Sequence, residues 1–266
     1  MSSFWLVGST PHMSRPCRTV QKRFMSEPIL ESTGHLLIDD FIDNEECWML
    51  LGQIRDYRTH SGLQEINRPM KGRSLRYSVI DGAEIRAHLP SIWKLYLGAA
   101  NDLVNEVTAG SLEPLLNTRA GVNVNVMPPG RSEYRWHYDR TAVTAILYLN
   151  QVEGGETELY PNYRILLDGN RQSSRLQLML DRALQPTVVR RLFGKRKVVE
   201  PRPGRLVVMR ANRCWHSVRG VQGSEDRINV ILAYDAPGAR FEVEDDLDSY
   251  LYTQETPTSR DPNYAP

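Results

Sequence analysis

The second half of the chain contains short apolar runs rich in β-branched residues, each bounded by Gly, Pro, Asn or Asp. The clearest is GVNVNVM at residues 121–127, in which three valines alternate with two asparagines. Successive side chains of a strand point to opposite faces, so this alternation indicates a β-strand. The further strand candidates are residues 142–149, 205–209 and 228–234. Short strands separated by turn residues are typical of a β-sandwich or barrel.

The segment before these strands has the periodicity of helices. A short strand near residue 35 is followed by a helix that Asp43 or Asn44 can cap. A second helical region runs from Ala83 to Val107, with a break at Pro90. Helices followed by strands predict a mainly β (α+β) fold in which N-terminal helices buttress the sheets. The first helix has an amphipathic face formed by Cys47, Trp48, Leu51 and Ile54.

Composition excludes several classes of protein. The formal net charge of +1 over 266 residues argues against binding nucleic acid through overall charge. No apolar run approaches the roughly 20 residues that span a bilayer. The three cysteines are too few and too scattered for a disulfide framework, which favours a reducing compartment. We therefore expect a cytoplasmic protein with neither a membrane nor a nucleic acid as its partner.

The N-terminus allows a second localisation. The first 26 residues contain no Asp or Glu but carry Arg15, Arg18, Lys22 and Arg23, the composition of an organelle transit peptide. Alternatively, translation begins at Met25 and the upstream residues are a disordered or mis-annotated extension. We divide the chain into a leader (1–27), a strand and helical buttress (28–120), a catalytic core (121–240) and a tail (241–266).

A basic insertion interrupts the core at about residues 162–200. The span 171–219 holds 13 basic residues against two acids, Asp181 and Glu200. Such a run is usually a solvated face. Because it lies between strands that flank the candidate site, it also favours an anionic partner. Alternatively, part of the positive charge of the insertion faces the acidic stretch FEVEDDLDSY in the tail.

His137 and Asp139 are a candidate pair of metal ligands. Residues i and i+2 of an extended segment share one face. Of the six histidines, His216 is the one other that lies in the strand-rich half. Two histidines and a carboxylate form the facial triad of non-haem Fe(II) oxygenases, which leaves coordination positions open for a cosubstrate and dioxygen. A zinc hydrolase with the same ligands is an alternative.

Arg227 is a candidate anchor for an anionic cosubstrate. A 2-oxo acid chelates iron through its carboxylate and keto group, and its far carboxylate then needs a cationic anchor. A guanidinium binds a carboxylate bidentately. Arg227 begins the apolar run RINVILAY, where an arginine is costly to bury without an anion. The alternative is a surface arginine next to Glu225 and Asp226.

Six segments in order resemble the prolyl 4-hydroxylase-like branch of the 2-oxoglutarate- and Fe(II)-dependent dioxygenases. The resemblance spans residues 121–235, and LLIDDFIDNEEC resembles the start of the helical buttress in that family. The segments are HYD (137–139), AILYLN, GGETELYP, PRPGRLVVM, RCWHSVRGV and RINVILAYD.

The resemblance implies a double-stranded β-helix, a jelly-roll or cupin-like barrel with the metal at its mouth. It implies that His137, Asp139 and His216 hold Fe(II), and that Arg227 and Tyr148 bind the distal carboxylate of 2-oxoglutarate. Tyr148 can alternatively be a core aromatic residue whose hydroxyl has another partner. With dioxygen, and with ascorbate as an accessory reductant, the family hydroxylates an aliphatic C–H bond and releases succinate and CO2.

Two features depart from the family pattern. Met127 stands where many relatives have a tyrosine before the Pro-Gly turn, and the insertion is longer than the usual hairpin. Relatives that halogenate have Gly or Ala at the position of Asp139, so its carboxylate favours hydroxylation.

The substrate is left open by these residues. A free or carrier-bound amino acid or a natural-product small molecule is our first interpretation, and peptidyl proline is the alternative. A nucleic-acid demethylase is disfavoured by Ala233, where those relatives have a second arginine. A non-catalytic binding barrel is disfavoured by the complete triad. Tyr138, Arg140 and Trp215 lie beside the ligands in sequence and can line a pocket, although Trp215 can equally be a core residue.

Overall fold

The computed structural model describes residues 28–63, 65–70, 73–115, 118–130, 134–167 and 175–239, so the leader and the tail lie outside the described residues. Its helices are α1 (Ile29–Thr33), α2 (Asn44–Ser61), α3 (Gly82–His88), α4 (Pro90–Leu97), α5 (Ala99–Val107), α6 (Thr118–Gly121), α7 (Arg175–Leu184) and α8 (Thr187–Phe193). Its strands are β1 (His35–Ile38), β2 (Glu65–Met70), β3 (Arg73–Ile80), β4 (Glu113–Pro114), β5 (Val122–Met127), β6 (Tyr134–His137), β7 (Val143–Tyr148), β8 (Thr157–Tyr160), β9 (Lys197–Val199), β10 (Leu206–Met209), β11 (Trp215–Val218) and β12 (Arg227–Asp235).

The strands form two facing antiparallel sheets. The larger has the order β1-β10-β7-β12-β5-β3-β2, with β4 added at the end of β12, and the smaller has the order β6-β11-β8-β9. One apolar cluster joins Ile146 and Tyr148 of the larger sheet to Leu159 and Val199 of the smaller one. The two sheets therefore pack face to face, as predicted for the core.

Strand β5 separates two buried faces. Val122, Val124 and Val126 point outward from the sandwich into the helical core, while Asn123 and Asn125 point toward the smaller sheet. All six residues of the strand are buried. The alternation predicted the strand, and its polar face lies inside the sandwich rather than in solvent.

The N-terminal helices cover the outer face of the larger sheet, which confirms the predicted buttress. Helix α2 begins where the Asp43 carboxylate accepts a hydrogen bond from the Glu46 N–H at 2.8 Å. The prediction that Trp48 belongs to its buried face is wrong, because this side chain is 70% exposed and Leu50 is buried in its place. Residues 47, 50 and 54 lie on one narrow stripe of the helix, and residue 48 is turned about 100° away from residue 47.

The predicted helical region at 83–107 is three helices. Pro90 begins α4, and a second break follows at Gly98, whose N–H donates to the Lys94 carbonyl and ends that helix. Within the described part of the chain, every helix is too short or too polar to cross a membrane.

The insertion packs on the outer face of the smaller sheet. That face carries an aromatic cluster of Tyr138, Tyr160, Tyr163 and Trp215, and Leu184 at the end of α7 packs against it. The Tyr163 hydroxyl also donates to the Leu184 carbonyl at 2.8 Å. The insertion thus shields from water a sheet face that is too aromatic to be left exposed.

A buried ion pair fixes α7. The Arg164 Nε atom donates to the Asp181 carboxylate at 3.1 Å, and Gln177 donates to the same carboxylate at 2.9 Å. Asp181 is fully buried and Arg164 is 7% exposed. A buried charge without its partner is strongly destabilising, so the pair defines where the helix can sit.

Gly204 joins the buttress to the sheet and yields a stability prediction. It has φ +75°, a Cβ atom there would overlap the Ile42 carbonyl oxygen, and its N–H donates to the Tyr148 carbonyl. Gly204→Ala should lower the free energy of unfolding by at least about 1–2 kcal/mol because of the left-handed backbone alone. Gly52→Ala, in α2 with open space around its Cβ position, should raise it by about 0.5–1 kcal/mol. Urea unfolding measures both, and an unchanged Gly204→Ala variant would contradict the prediction.

Candidate active site

Three predicted ligands converge at one end of the sandwich. His137 ends β6, His216 lies directly opposite it in β11, and Asp139 follows β6 by two residues. The Asp139 Oδ1 atom is 3.3 Å from His137 Nε2 and 3.4 Å from His216 Nε2. Among the described residues, these three form the one group of His, Cys, Asp and Glu side chains close enough to share a metal ion.

Asp139 is held by the larger sheet. The Thr144 hydroxyl of β7 donates to Asp139 Oδ2 at 2.7 Å and is itself 3.0 Å from the Thr141 hydroxyl. The Asp139 N–H donates to the Ala211 carbonyl at 3.2 Å. With Oδ2 engaged, Oδ1 is directed at the two imidazoles.

His216 is oriented by the backbone. Its Nδ1 atom is 2.9 Å from the Cys214 carbonyl, which can only accept, so Nδ1 carries a proton and Nε2 is the ring nitrogen that faces Asp139. Burial alone would lower the pKa of His216, but the Asp139 carboxylate outweighs it and raises the pKa. Burial likewise acts to raise the pKa of Asp139, yet the two imidazoles hold that pKa well below its usual range.

This donor set fits Fe(II). Two ligand atoms at right angles, each about 2.1 Å from one ion, are about 3 Å apart, close to the separations of Asp139 from the two histidines. The two imidazole rings have centroids 4.1 Å apart and are tilted by 54°, so both Nε2 atoms approach the same point from different directions. The facial arrangement of two histidines and one carboxylate leaves the opposite side available to other ligands.

Arg227 is buried between the sheets rather than lying on the surface. It is 2% exposed, whereas its neighbour Asp226 pairs with Arg58 at 3.0 Å. The guanidinium donates to the Asn229 amide oxygen and, at 3.3 Å, to the Thr157 hydroxyl. It also lies 5.1 Å from the centroid of the Tyr148 ring. Asn229, Thr157 and Tyr148 are neutral groups.

Tyr148 and Arg227 share Thr157 of the smaller sheet. The Tyr148 hydroxyl, which is buried, donates to the Thr157 hydroxyl at 2.6 Å. The predicted candidates for the cosubstrate carboxylate therefore lie side by side, and Thr157 connects them to the sheet that carries both histidines.

Two neighbours explain how the guanidinium fits. A Cβ atom at Gly155, which has φ +65°, would lie 2.7 Å from Arg227 Cδ. The second glycine of the GGET motif therefore leaves room for the arginine. Met127 places its sulfur 3.5 Å from the guanidinium and belongs to the same buried cluster as Tyr77 of β3.

Tyr138 and Trp215 lie on the outer face of the smaller sheet, away from the space between the two sheets. Both belong to the aromatic cluster under the insertion, with ring centroids 4.5 Å apart and exposures of 2% and 4%. Trp215 is therefore a core residue, as its alternative interpretation predicted. Arg140 is half-buried directly after Asp139.

Sequence reasoning missed Thr144, Thr157 and Asn229. Thr144 and Tyr148 point to the same face of β7. A hydroxyl among the apolar residues of that strand was the signal available in the sequence. Thr157 follows the two glycines of GGET, and its contacts depend on how the strands are placed beside each other. Asn229 lies two residues after Arg227 on the same face of β12, so that spacing was an available signal.

The sequence matches a profile of the 2OG-Fe(II) oxygenase superfamily over residues 122–234. This range begins with β5 and ends in β12, so it includes all the site residues described above. The strand-rich part of the chain is thus a 2OG-Fe(II) oxygenase domain. A search of curated proteins finds no match.

Solved structures share the fold. The non-haem α-ketoglutarate-dependent carbocyclase SnoK from nogalamycin biosynthesis is 17% identical, with 78% of this chain and 82% of that chain covered and a TM-score of 0.61. HygX from Streptomyces hygroscopicus, solved with nickel, 2-oxoglutarate and hygromycin B, is 15% identical over 79% and 86% of the chains, with a TM-score of 0.54. A Trichoplax adhaerens prolyl hydroxylase bound to a hypoxia inducible factor peptide is 17% identical over 77% and 85%, with a TM-score of 0.52. These structural similarities confirm the predicted double-stranded β-helix, and the low sequence identities leave the substrate open.

The Thr144 contact generates a prediction about metal affinity. Thr144→Val removes the hydrogen bond to Asp139 Oδ2 and frees the carboxylate to rotate, which should weaken Co(II) or Ni(II) binding roughly 10- to 100-fold. Thr144→Ser keeps the hydroxyl and should restore most of the affinity. Titration calorimetry measures both, and a Thr144→Val variant that binds metal like the wild type would contradict the assigned role.

Proposed function

We propose that the chain hydroxylates an aliphatic C–H bond of an amino acid, a carrier-bound residue or a natural-product small molecule. The observation that carries the proposal is a convergent His-Asp-His group at one end of the sandwich together with an arginine buried between its two sheets. The first suits Fe(II) and the second suits the distal carboxylate of 2-oxoglutarate. A zinc hydrolase needs the first group but has no use for the second.

His137, Asp139 and His216 would hold the iron. When bound, Fe(II) with 2-oxoglutarate and dioxygen supplies the oxidising power, and succinate and CO2 are released. The negative charge of the Asp139 carboxylate would partly neutralise the positive charge of the metal ion. The Thr144 hydroxyl keeps this carboxylate directed at the two histidines. Ascorbate, as a reductant that keeps the iron ferrous, is part of the proposal.

Arg227 and Tyr148 would position the cosubstrate. The guanidinium offers two N–H groups to a carboxylate, and the Tyr148 hydroxyl can rotate from Thr157 to donate a third hydrogen bond. Burial strengthens these bonds because little water competes for them. Asn229 and Thr157 hold the guanidinium from the side and so fix the direction from which the carboxylate approaches.

A small polar substrate is favoured over a peptide. SnoK, from nogalamycin biosynthesis, and HygX, solved with hygromycin B bound, have higher TM-scores with this chain than the peptide-bound Trichoplax enzyme. A peptidyl prolyl substrate remains the second candidate. The basic insertion gives little support to an anionic substrate, because Arg196 pairs with Glu158 and Arg190 lies over the Trp136 ring. The cytoplasm is the localisation we propose.

Loss of a ligand tests the metal assignment. His137→Ala should abolish the weak visible charge-transfer band that forms when Fe(II) and 2-oxoglutarate are added anaerobically, and should abolish succinate release. His60→Ala, at the exposed end of α2, is the matched control and should retain the band. A full band in His137→Ala would sink the triad assignment, and no band in the wild type would sink the oxygenase proposal.

Loss of the guanidinium tests the cosubstrate assignment. Arg227→Ala should raise the KM for 2-oxoglutarate roughly 10- to 100-fold, because a hydrogen bond to a charged group contributes about 1.5–3 kcal/mol. Co(II) affinity should stay unchanged, since Arg227 contacts none of the three ligands in the pairings described. Arg202→Ala, which removes an exposed partner of Glu200, is the control. Lost metal binding in Arg227→Ala would show instead that the arginine supports the fold.

A further inference from the structure

Helix α7 of the insertion buries its polar side and exposes its apolar side. Gln177 and Asp181 face the protein, where Asp181 pairs with Arg164. A helix turns by about 100° per residue, so Leu176 and Met179 lie on the opposite side. Both are exposed, at 70% and 67%. Helices α4 and α5 of the buttress have the reverse arrangement, with their apolar residues buried.

Helix α8 is inverted in the same way. The Arg190 Cζ atom lies 4.8 Å from the centroid of the Trp136 ring on the smaller sheet. Val188 and Leu192 stand two residues to either side of Arg190, about 160° around the helix, and so point away from that sheet. These two side chains and the following Phe193 are between 68% and 77% exposed. We call the five exposed apolar side chains of α7 and α8 the outward face of the insertion.

The outward face has the character of an interaction surface. Single exposed apolar side chains are ordinary, whereas a group of them on two successive helices is typical of a contact surface. Its surroundings are basic, because Arg182, Arg191 and Lys195 are exposed and no acidic side chain of the described ranges forms an ion pair with them. The surface therefore fits a partner that is both apolar and acidic.

Residues 241–252 at the start of the tail have this composition. The segment FEVEDDLDSYLY contains five acidic residues, six apolar or aromatic residues and no basic residue. Val243, Leu247 and Leu251 recur at the four-residue spacing of one helix face, with acidic residues between them. The segment is therefore complementary to the outward face in charge and in apolar content.

The tail leaves the fold at the end of the sandwich where α8 ends. Strand β12 ends at Asp235, two residues beyond the position opposite Thr144. Helix α8 ends where a Cβ atom at Gly194 would meet the Tyr160 ring. Tyr160 lies one residue beyond the position opposite His216. Both points therefore lie at the end of the sandwich that carries the candidate metal ligands.

The chain is long enough to reach the outward face from there. The two sheets of a sandwich are about 10 Å apart and a helix is about 10 Å thick, so the outward face lies roughly 25 Å from the larger sheet. The described chain ends at Ala239, and the eight residues 240–247 span about 26 Å when extended.

Other occupants fit the outward face less well. The leader is basic like the surroundings of the face, and residues 168–174 (DGNRQSS) contain no apolar side chain. In a symmetric dimer through this face, the basic residues of the two copies would meet. A segment of the same chain also has an effective concentration in the mM range, so a contact that is weak between separate molecules is largely occupied.

We propose that residues 241–252 bind the outward face of the insertion within the same chain. The apolar residues of the segment cover those of α7 and α8, and its carboxylates pair with Arg182, Arg191 and Lys195. The insertion is then a docking surface for the C-terminal tail, a role that does not depend on the metal or the cosubstrate.

Zero-length cross-linking of the full-length protein tests the contact. A carbodiimide joins a lysine amine to a carboxylate that touches it, and peptide mass spectrometry locates the link. Lys195 should link to acidic residues of the range 242–248 in monomeric protein. Lys94 of α4 reports on the alternative, because Tyr96 of the same helix donates to the Ala233 carbonyl near the end of β12 at 2.9 Å. A tail that stays on the buttress would link to Lys94 instead.

A substitution in the tail tests the apolar part of the contact. Leu247→Asn should lower the yield of the Lys195 link at least fivefold. It should also raise the fluorescence of the apolar dye ANS at least twofold, because the outward face is uncovered. Tyr264→Asn, which lies outside the segment, is the matched control and should change neither signal. Both substitutions leave every residue of the described fold unchanged.

The remaining outcomes would overturn the proposal. A Lys195 link found only in cross-linked dimers would show that the tail covers a second copy of the chain. A link to Lys94 alone, or equal ANS fluorescence in the wild type and in Leu247→Asn, would show that the tail leaves the face uncovered. Absence of the Lys195 link together with binding to phosphatidylserine vesicles would make the face a membrane contact.

Discussion

A guanidinium buried between two sheets is the constraint on which the rest of the molecule depends. Arg227 is 2% exposed, and a charge in such a place is tolerated only where polar groups surround it. The inner face of the larger sheet accordingly carries Asn229 and Asn125 where a sandwich that serves only stability would place apolar residues. Thr157 and Tyr148 complete the polar surroundings. The cleft is therefore built for a charged ligand, at the expense of the apolar contact that normally joins two sheets.

The stability that the cleft gives up is supplied on the outer faces. The alternate residues of β5, β7 and β12 form, together with helices α2 to α5, the largest apolar cluster of the described chain. On the opposite side, the insertion covers the aromatic outer face of the smaller sheet, and the Arg164–Asp181 pair fixes its helix. Each sheet thus has one face for packing, and the two remaining faces enclose the site. This division explains why every residue of β5 is buried although two of them are asparagines.

The strands and the candidate ligands could be predicted from sequence because both are local signals. The alternation of β5, the spacing of His137 and Asp139, and the apolar run after Arg227 are each visible within a few residues. His216 came from elimination and from resemblance, since its partner strand is far away in sequence. Trp48 was misplaced because a helix buries a narrower stripe than the spacing of its apolar residues suggests. The roles of Thr144 and Thr157 are visible only once the register sets the strands side by side.

We propose that the triad, through its metal ion, and Arg227 hold the two ends of one cosubstrate molecule. An anaerobic crystal structure with Co(II) and 2-oxoglutarate bound is the decisive test. We expect the metal on His137, Asp139 and His216, and the distal carboxylate in contact with the Arg227 guanidinium. A metal bound elsewhere, or 2-oxoglutarate whose distal carboxylate points away from Arg227, would contradict it.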